Sequence, residues 1–326
     1  MSAPRLVAGL DLGGTKILGR VVDPRSPSDP VAALRLDTPR GGPAILDALT
    51  DACTALRTEA AVVAAGGLAG VGIGAAGLVD HQGVLRFAPN LPTVVDLDVG
   101  PELRDRLALP VAVDNDANCA TVAEHRLGAA RDARSAALVT LGTGIGAGLI
   151  LDGELQRGAA GFAGEPGHMV VDPSGPPCPC GRRGCWERFA SGSGLGRIAR
   201  DAAQAGRADR VVALAGGDAD DVRGEHVTAA VAEGDPDALA VLRDFAWWVA
   251  LGIANLVNVL DPEIVVVGGG LVAAGDALLG PTRAAYAGLV LAHDHRPPVQ
   301  IVAAQLGPDA GAIGAALLAA DVAAAP

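Results

Sequence analysis

Apolar positions in this chain come in short runs that break on glycine, and the breaks repeat. Leu6–Leu10 is apolar, ends on Asp11-Leu-Gly-Gly-Thr-Lys16, and gives way to a second run, Ile17–Asp23. A strand, a glycine-rich turn and another strand predict a hairpin whose turn presents backbone N–H groups. The pattern returns at Leu138–Leu151, LVTLGTGIGAGLIL, where a strand enters Leu141-Gly-Thr-Gly144 and another leaves it. Either turn alone is an ordinary hairpin. The second copy suggests two related halves, each offering a phosphate-type turn. Neither turn is a Walker A loop, which needs GxxxxGK[ST] opening a helix, and GTGIGAG lacks the GxGxxG spacing of a dinucleotide fold.

Between and beyond the turns the period alternates between strand and helix. Ile45–Thr58 carries Ile45, Leu49, Cys53 and Leu56 on one helical face. A strand is expected at 70–75, followed by the segment Phe87-Ala-Pro-Asn-Leu-Pro92, and another at Val111–Val113, running into Asp114-Asn-Asp-Ala-Asn118. Ala117–Leu127 reads as a helix with Asn115 or Asp116 near its cap. Asp116 also sits at a strand end, where α/β sheets expose catalytic side chains. Spacing alone leaves cap and catalyst equally open. Farther on, 190–216 and 227–242 read as alanine-rich helices separated by a polar insert (217–225), then 245–260 as a buried helix. A buried strand next runs into Gly268-Gly-Gly270, and Val299–Ala303 and Ala310–Ala320 close the chain as strand and helix.

Composition narrows the class. Half of the 326 residues are hydrophobic but 2% are aromatic, with 45 glycines and a net charge of −12. That charge repels nucleic acid and anionic membrane surfaces. Two uncharged windows need attention. Ala60–Val79 is long enough for a bilayer, but its glycines divide it into a helix end and a strand. Phe245–Leu260 is shorter and carries Asn255 and Asn258. Neither is expected to span a membrane. The first residues, MSAPRLVAGLDLGG, hold no apolar run of signal-peptide length, and a cytoplasmic protein is expected.

Three of the five cysteines fall in one stretch, Gly161–Glu187, as Cys178, Cys180 and Cys185, with His168 upstream. Three thiolates and an imidazole make a complete tetrahedral set, the composition of a closed structural zinc site. The alternative, a disulfide, would need a strained Cys-x-Cys bridge in a chain read as cytosolic. Glu165 and Glu187 frame the set.

Glu165-Pro-Gly-His168 with CPCGRRGCWE (Cys178–Glu187), continuing to Gly192, resembles the ExGH…CxCGxxGCxE signature of the ROK family, which unites bacterial repressors, open reading frames and sugar kinases. The resemblance covers essentially the whole chain and is strongest toward ATP-dependent glucokinases. It implies an α/β, actin- and hexokinase-like (ribonuclease H-like) fold of two domains with a cleft between the halves. The expected domains are 1–116, with the helix at about 310–326 packed back on it, and 117–309. It implies that Asp116, within the family's [DE]NDAN motif, is the base for the 6-hydroxyl of glucose. Asn115, Glu165, His168, Glu187 and Asn90 would hold the sugar. Asp11, Gly13, Gly14, Thr15 and Lys16, with Gly142, Thr143 and Gly144, would serve the phosphates of ATP, and Gly268, Gly269 and Gly270 the adenosine. Zn2+ on His168, Cys178, Cys180 and Cys185 would be structural, with Mg2+ arriving with ATP near Asp11. A homodimer or homotetramer is expected, with no nucleic-acid or membrane partner.

The chain departs from the family's pattern after Pro92, where Thr93-Val-Val stands in place of an expected tryptophan. Three further readings stay open. A sugar-responsive repressor would carry a helix-turn-helix ahead of Asp11, which ten residues precede here. A kinase for mannose, fructose or N-acetylmannosamine would share every motif. A polyphosphate-dependent kinase would lack the cysteine cluster.

Overall fold

The computed structural model describes residues 6–325, which pack as two compact units. The first takes the chain up to Asp132, then Gly148–Gly164 and the stretch from Gln305 onward; the second takes Ala133–Ala147 and Glu165–Ala304.

The first unit begins with strands β1 (Leu6–Leu12), β2 (Lys16–Val22) and β3 (Ala32–Asp37), then helices α1 (Gly42–Thr58) and α2 (Ala60–Ala64) and strand β4 (Leu68–Ala75). A small three-stranded sheet follows, β5 (Leu78–Val79), β6 (Leu85–Phe87) and β7 (Val95–Leu97), with helix α3 (Val99–Leu107), strand β8 (Val111–Asn115) and helix α4 (Asp116–Arg126). The main sheet has the order β3-β2-β1-β4-β8, antiparallel across β3, β2 and β1 and parallel across β1, β4 and β8. The helical face expected for 45–58 is the buried one. Ile45, Leu49, Cys53 and Leu56 are all at most 2% exposed in α1. α4 lies with this unit, so the unit continues past Asp116 to Asp132.

The other five-stranded sheet is β9 (Ala136–Leu141), β10 (Ile145–Leu151), β11 (Glu154–Leu155), β12 (Ile264–Gly268) and β13 (Gln300–Ala303), in the order β11-β10-β9-β12-β13. Numbered by appearance, that is the same 3-2-1-4-5 order as the first sheet, with parallel pairing of β9, β12 and β13. The duplicated glycine turns therefore mark a duplicated sheet.

The helices of the second unit are α5 (Glu187–Ala190), α6 (Gly192–Gln204), α7 (Asp209–Leu214), α8 (Gly224–Ala232), α9 (Pro236–Leu260) and α10 (Asp276–Leu289). Two helices expected from the alanine-rich pattern are each broken. In 190–216 the break falls at Gly206, which takes a left-handed φ of 68°; in 227–242 it falls at Gly234, φ 79°, after which Asp235 accepts the Ala238 N–H and caps α9. The uncharged 245–260 is the later part of α9. Among the described residues α9 is the one helix long and apolar enough to cross a membrane, and most of its apolar side chains are buried inside the second unit.

Helix α11 (Ala310–Ala324) returns to the first unit and packs on β1, β4 and α4. Its approach is backbone-close: a Cβ on Gly72 of β4 would lie 1.8 Å from the Ala315 carbonyl oxygen.

Candidate active site

The first glycine turn joins β1 to β2 and is braced from β3's end. The Gly13 N–H donates to the Lys16 carbonyl (3.0 Å), and the Thr38 hydroxyl donates to the Gly13 carbonyl at 2.7 Å. Gly14 lies against Asn90, where a Cβ would meet the Asn90 carbonyl oxygen at 2.7 Å. The Pro-Asn-Leu-Pro segment thus abuts the turn. Thr93, where the expected tryptophan is missing, takes φ 72°, a conformation costly for a β-branched residue.

Asp11 stands near the end of β1. Burial raises its carboxyl to about 7; the Asp116 charge adds to the rise and Lys16 opposes it. Gly311 of α11 comes so near that a Cβ there would be 3.0 Å from the Asp11 carboxylate. Burial also raises Asp116, against hydrogen bonding from the Ala117 N–H and its own.

The cap ambiguity resolves in favour of Asn115. Its Oδ1 accepts the N–H groups of Ala117 (2.8 Å) and Asn118 (3.1 Å), and its Nδ2 donates to the Gly77 carbonyl at 3.0 Å. Asp116 is the first residue of α4, holding the Ala117 N–H at 2.9 Å. Asp11 and Asp116 are thus two desolvated carboxylates, and the charge of Asp116 adds to the raised proton affinity of Asp11.

In the second unit the turn between β9 and β10 is closed by the Gly142 N–H on the Gly144 carbonyl (3.0 Å). The Gly192 N–H donates to the Gly142 carbonyl (2.8 Å) and the Ser193 hydroxyl to the Thr143 carbonyl (3.0 Å). Glu187 accepts the Ile145 N–H at 3.0 Å and fills the space beside Gly144, whose Cβ would be 2.3 Å from the carboxylate. Only glycine at 144 admits Glu187 to the turn.

Glu187 also ends the cysteine loop. His168 and Cys178 approach with Nδ1 to Sγ at 3.9 Å, Cys180 and Cys185 with Sγ to Sγ at 3.5 Å, and all four ligand atoms lie within 4.8 Å of one another. Tetrahedral zinc with thiolate bonds of about 2.3 Å needs ligand separations near 3.8 Å, so the set fits the ion. Burial, then the neighbouring thiols, push Cys185 up to about 12; thiolates grouped this way call for a cation. With Nδ1 turned to the cysteines, Nε2 of His168 points toward Glu165, 4.0 Å away. The loop is tied down by Trp186, fully buried, whose indole N–H donates to the Trp248 carbonyl of α9 at 2.7 Å.

Gly268 ends β12, and Gly269, at φ 84°, touches the backbone of Leu141, where a Cβ would be 2.5 Å from its carbonyl oxygen. Gly270 opens onto a cavity of about 1290 Å³ within this unit, which the 142–143 turn also lines. Sequence reasoning missed Ser193, Arg188, Arg200 and Arg223, which line the same cavity. The Ser191-Gly-Ser-Gly194 run was a signal that spacing rules do not read, because it gathers its partners by tertiary contact. It also missed Arg157, whose Nε donates to buried Asp114 at 2.6 Å.

Thus the structure gathers Asp11, Gly13–Lys16, Asn90, Asn115 and Asp116 in the first unit. In the second it gathers Gly142–Gly144, Glu187 and Gly268–Gly270 around one group of turns, and Glu165, His168 and the cysteines in the loop that leads to Glu187.

A model of the ROK family matches residues 7–322. The glucokinase of Streptomyces coelicolor is 39% identical over 317 residues, covering 96% of this chain and 97% of that protein. Among solved structures, a ROK family glucokinase from Streptomyces griseus, in complex with glucose and AMPPNP, is 38% identical with a TM-score of 0.83 over 97% of this chain and 99% of its own. The ROK hexokinase of Thermus thermophilus is 36% identical, with a TM-score of 0.76 over 97% of this chain and 98% of its own.

Proposed function

This chain belongs to the ROK family, and from that premise we infer that it is an ATP-dependent glucokinase, moving the γ-phosphoryl group of ATP to the 6-hydroxyl of glucose. The observation that carries the reading is the state of Asp116: a carboxylate at the first turn of α4, next to the cap residue Asn115 and desolvated so that its affinity for a proton is raised. A base is most effective when its pKa approaches the working pH.

Phosphoryl transfer asks a protein for positioning, charge neutralisation and a base. The Gly13–Thr15 and Gly142–Gly144 turns offer backbone N–H groups and threonine hydroxyls to the phosphates. The glycine cradle at 268–270 and the adjoining cavity suit the adenosine. Mg2+ arriving with ATP supplies charge neutralisation, and Asp11 is the carboxylate suited to face it. Asn90, Asn115, Glu165, His168 and Glu187 hold the sugar hydroxyls, Asn115 through the amide hydrogen not given to Gly77. Asp116 takes the proton of the 6-hydroxyl as its oxygen bonds to the γ-phosphorus and the bond to ADP breaks. His168, Cys178, Cys180 and Cys185 would hold Zn2+, which would serve as a scaffold that steadies the loop carrying Glu165 and Glu187. A thiol-based site of this kind fits the reducing cytoplasm.

The test is a coupled assay for glucose 6-phosphate with the wild-type chain and Asp116→Asn, alongside glucose binding. The variant should bind glucose normally while kcat falls by roughly 10²-fold or more, since a base acts in the transition state. Retention of more than about a tenth of wild-type kcat would reduce Asp116 to an orienting group.

A further inference from the structure

Another buried carboxylate lies two residues before Asp116 and has no part in the transfer described above. Asp114, at the end of β8, is 5% exposed. Its Oδ1 accepts the Asn115 N–H at 2.8 Å and the Asn118 side-chain amide at 2.8 Å; its Oδ2 accepts the Arg157 Nε–H at 2.6 Å. These bonds bracket Asp116. Asn115 before it is the cap of α4, and Asn118 after it is fully buried in the helix's first turn. Asp114 therefore grips both neighbours of the base without touching the base itself.

Arg157 reaches this point from the loop after β11, where its own carbonyl accepts the Ala163 N–H at 3.0 Å. A buried carboxylate is tolerated when a cation and further hydrogen bonds satisfy it, and Arg157 is the cation here. Its side chain, 36% exposed, and Asp114 share the wall of a cavity of about 510 Å³. The guanidinium position is thus open to a small cation from solvent.

We propose that Arg157 and Asp114 are positioning residues for the transfer, Arg157 anchoring the Asp114 carboxylate and Asp114 holding Asn115 and Asn118 so that the Asp116 carboxylate keeps one orientation. The proposal rests on the reading of Asp116 as the base. A carboxylate at the helix start that loses its frame rotates away from the hydroxyl it must deprotonate. Errors of about an ångström in such placement cost up to about 10²-fold in rate. Sugar affinity rests on Asn90, Glu165, His168 and Glu187 as well as on Asn115, so it falls much less than the rate.

The experiment compares Arg157→Ala, Arg157→Lys and Asp116→Asn, singly and as Arg157→Ala/Asp116→Asn, in the full chain. It reads kcat, KM for ATP and the dissociation constant for glucose. Arg157→Ala should lower kcat by roughly 10- to 100-fold, with KM for ATP within about twofold of wild type and glucose affinity reduced by far less than kcat. Millimolar guanidinium should restore part of the rate by entering the vacated position, and Arg157→Lys should fall between wild type and Arg157→Ala. In the Asp116→Asn background, Arg157→Ala should add no further loss. A kcat within about twofold of wild type would overturn the proposal. So would a loss of glucose affinity that parallels the loss of rate, or an undiminished effect in the Asp116→Asn background. Where Arg157→Ala does not fold, Arg157→Lys carries the same comparison. Failure of the base assignment itself is seen separately, as normal kcat in Asp116→Asn alone.

Discussion

Asp11 carries an electrostatic cost that has a measurable sign. Burial, then the neighbouring Asp116, lift its carboxyl to about 7. The folded chain then keeps a proton that the unfolded chain releases near pH 4, so stability falls as pH rises between roughly 4 and 7. Asp11→Asn removes that term. Its melting temperature should change less between pH 5 and pH 8 than that of the wild type, and should be the higher of the two at pH 8. Thermal melts of both proteins at the two pH values check this; an equal or steeper fall in the variant would show that Asp11 is not held against its own charge. Such residues were legible in the sequence as types and positions. Whether Asn115 or Asp116 caps α4 was not, since both precede the helix and both are good caps; the hydrogen bonds of the folded chain decide it. Arg157 was illegible for a different reason. Nothing local to the loop after β11 says that it meets Asp114.

At the scale of elements, the cysteine loop shows how a segment without a core of its own is held. Isolated backbone bridges join Val170 to Cys185 and Pro177 to Arg183, and Trp186 anchors the end in α9. Trp186 fits because α9 has glycine opposite it: a Cβ on Gly252 would be 1.8 Å from the indole ring. At the other end His168 and the three cysteines bring four ligand atoms within 4.8 Å of one another, where we propose that zinc closes the loop. One zinc per chain is expected by elemental analysis. Cys180→Ala, which removes the exposed ligand and disturbs little packing, should lose both the metal and most glucose affinity, because Glu165 and Glu187 are then no longer aimed. A verified zinc-free protein with full glucose affinity would rule out the scaffold role. That His168, Cys178, Cys180 and Cys185 form one cluster was readable from residue types and spacing alone. The helices were read less well: alanine-rich stretches keep helical character on both sides of Gly206 and Gly234, whose left-handed conformation ends each first helix.

For the whole molecule, the informative feature is repetition. Two glycine turns suggested two related halves, and the structure has two sheets of the same 3-2-1-4-5 order, each with its turn between the first two strands. The reaction class was legible because the cysteine-loop signature and the DNDAN motif resemble those of the ROK family, while spacing alone left the glycine turns and Asp116 ambiguous. The choice of sugar and donor has no such local signature. The central claim is therefore tested most directly by supplying the purified chain with Mg2+, each of glucose, mannose, fructose and N-acetylmannosamine in turn, and either ATP or polyphosphate, and identifying the phosphorylated product. The account predicts that kcat/KM is highest for glucose with ATP, that the product is glucose 6-phosphate, and that polyphosphate supports little or no transfer. A higher kcat/KM for another hexose, or polyphosphate serving as well as ATP, would contradict it.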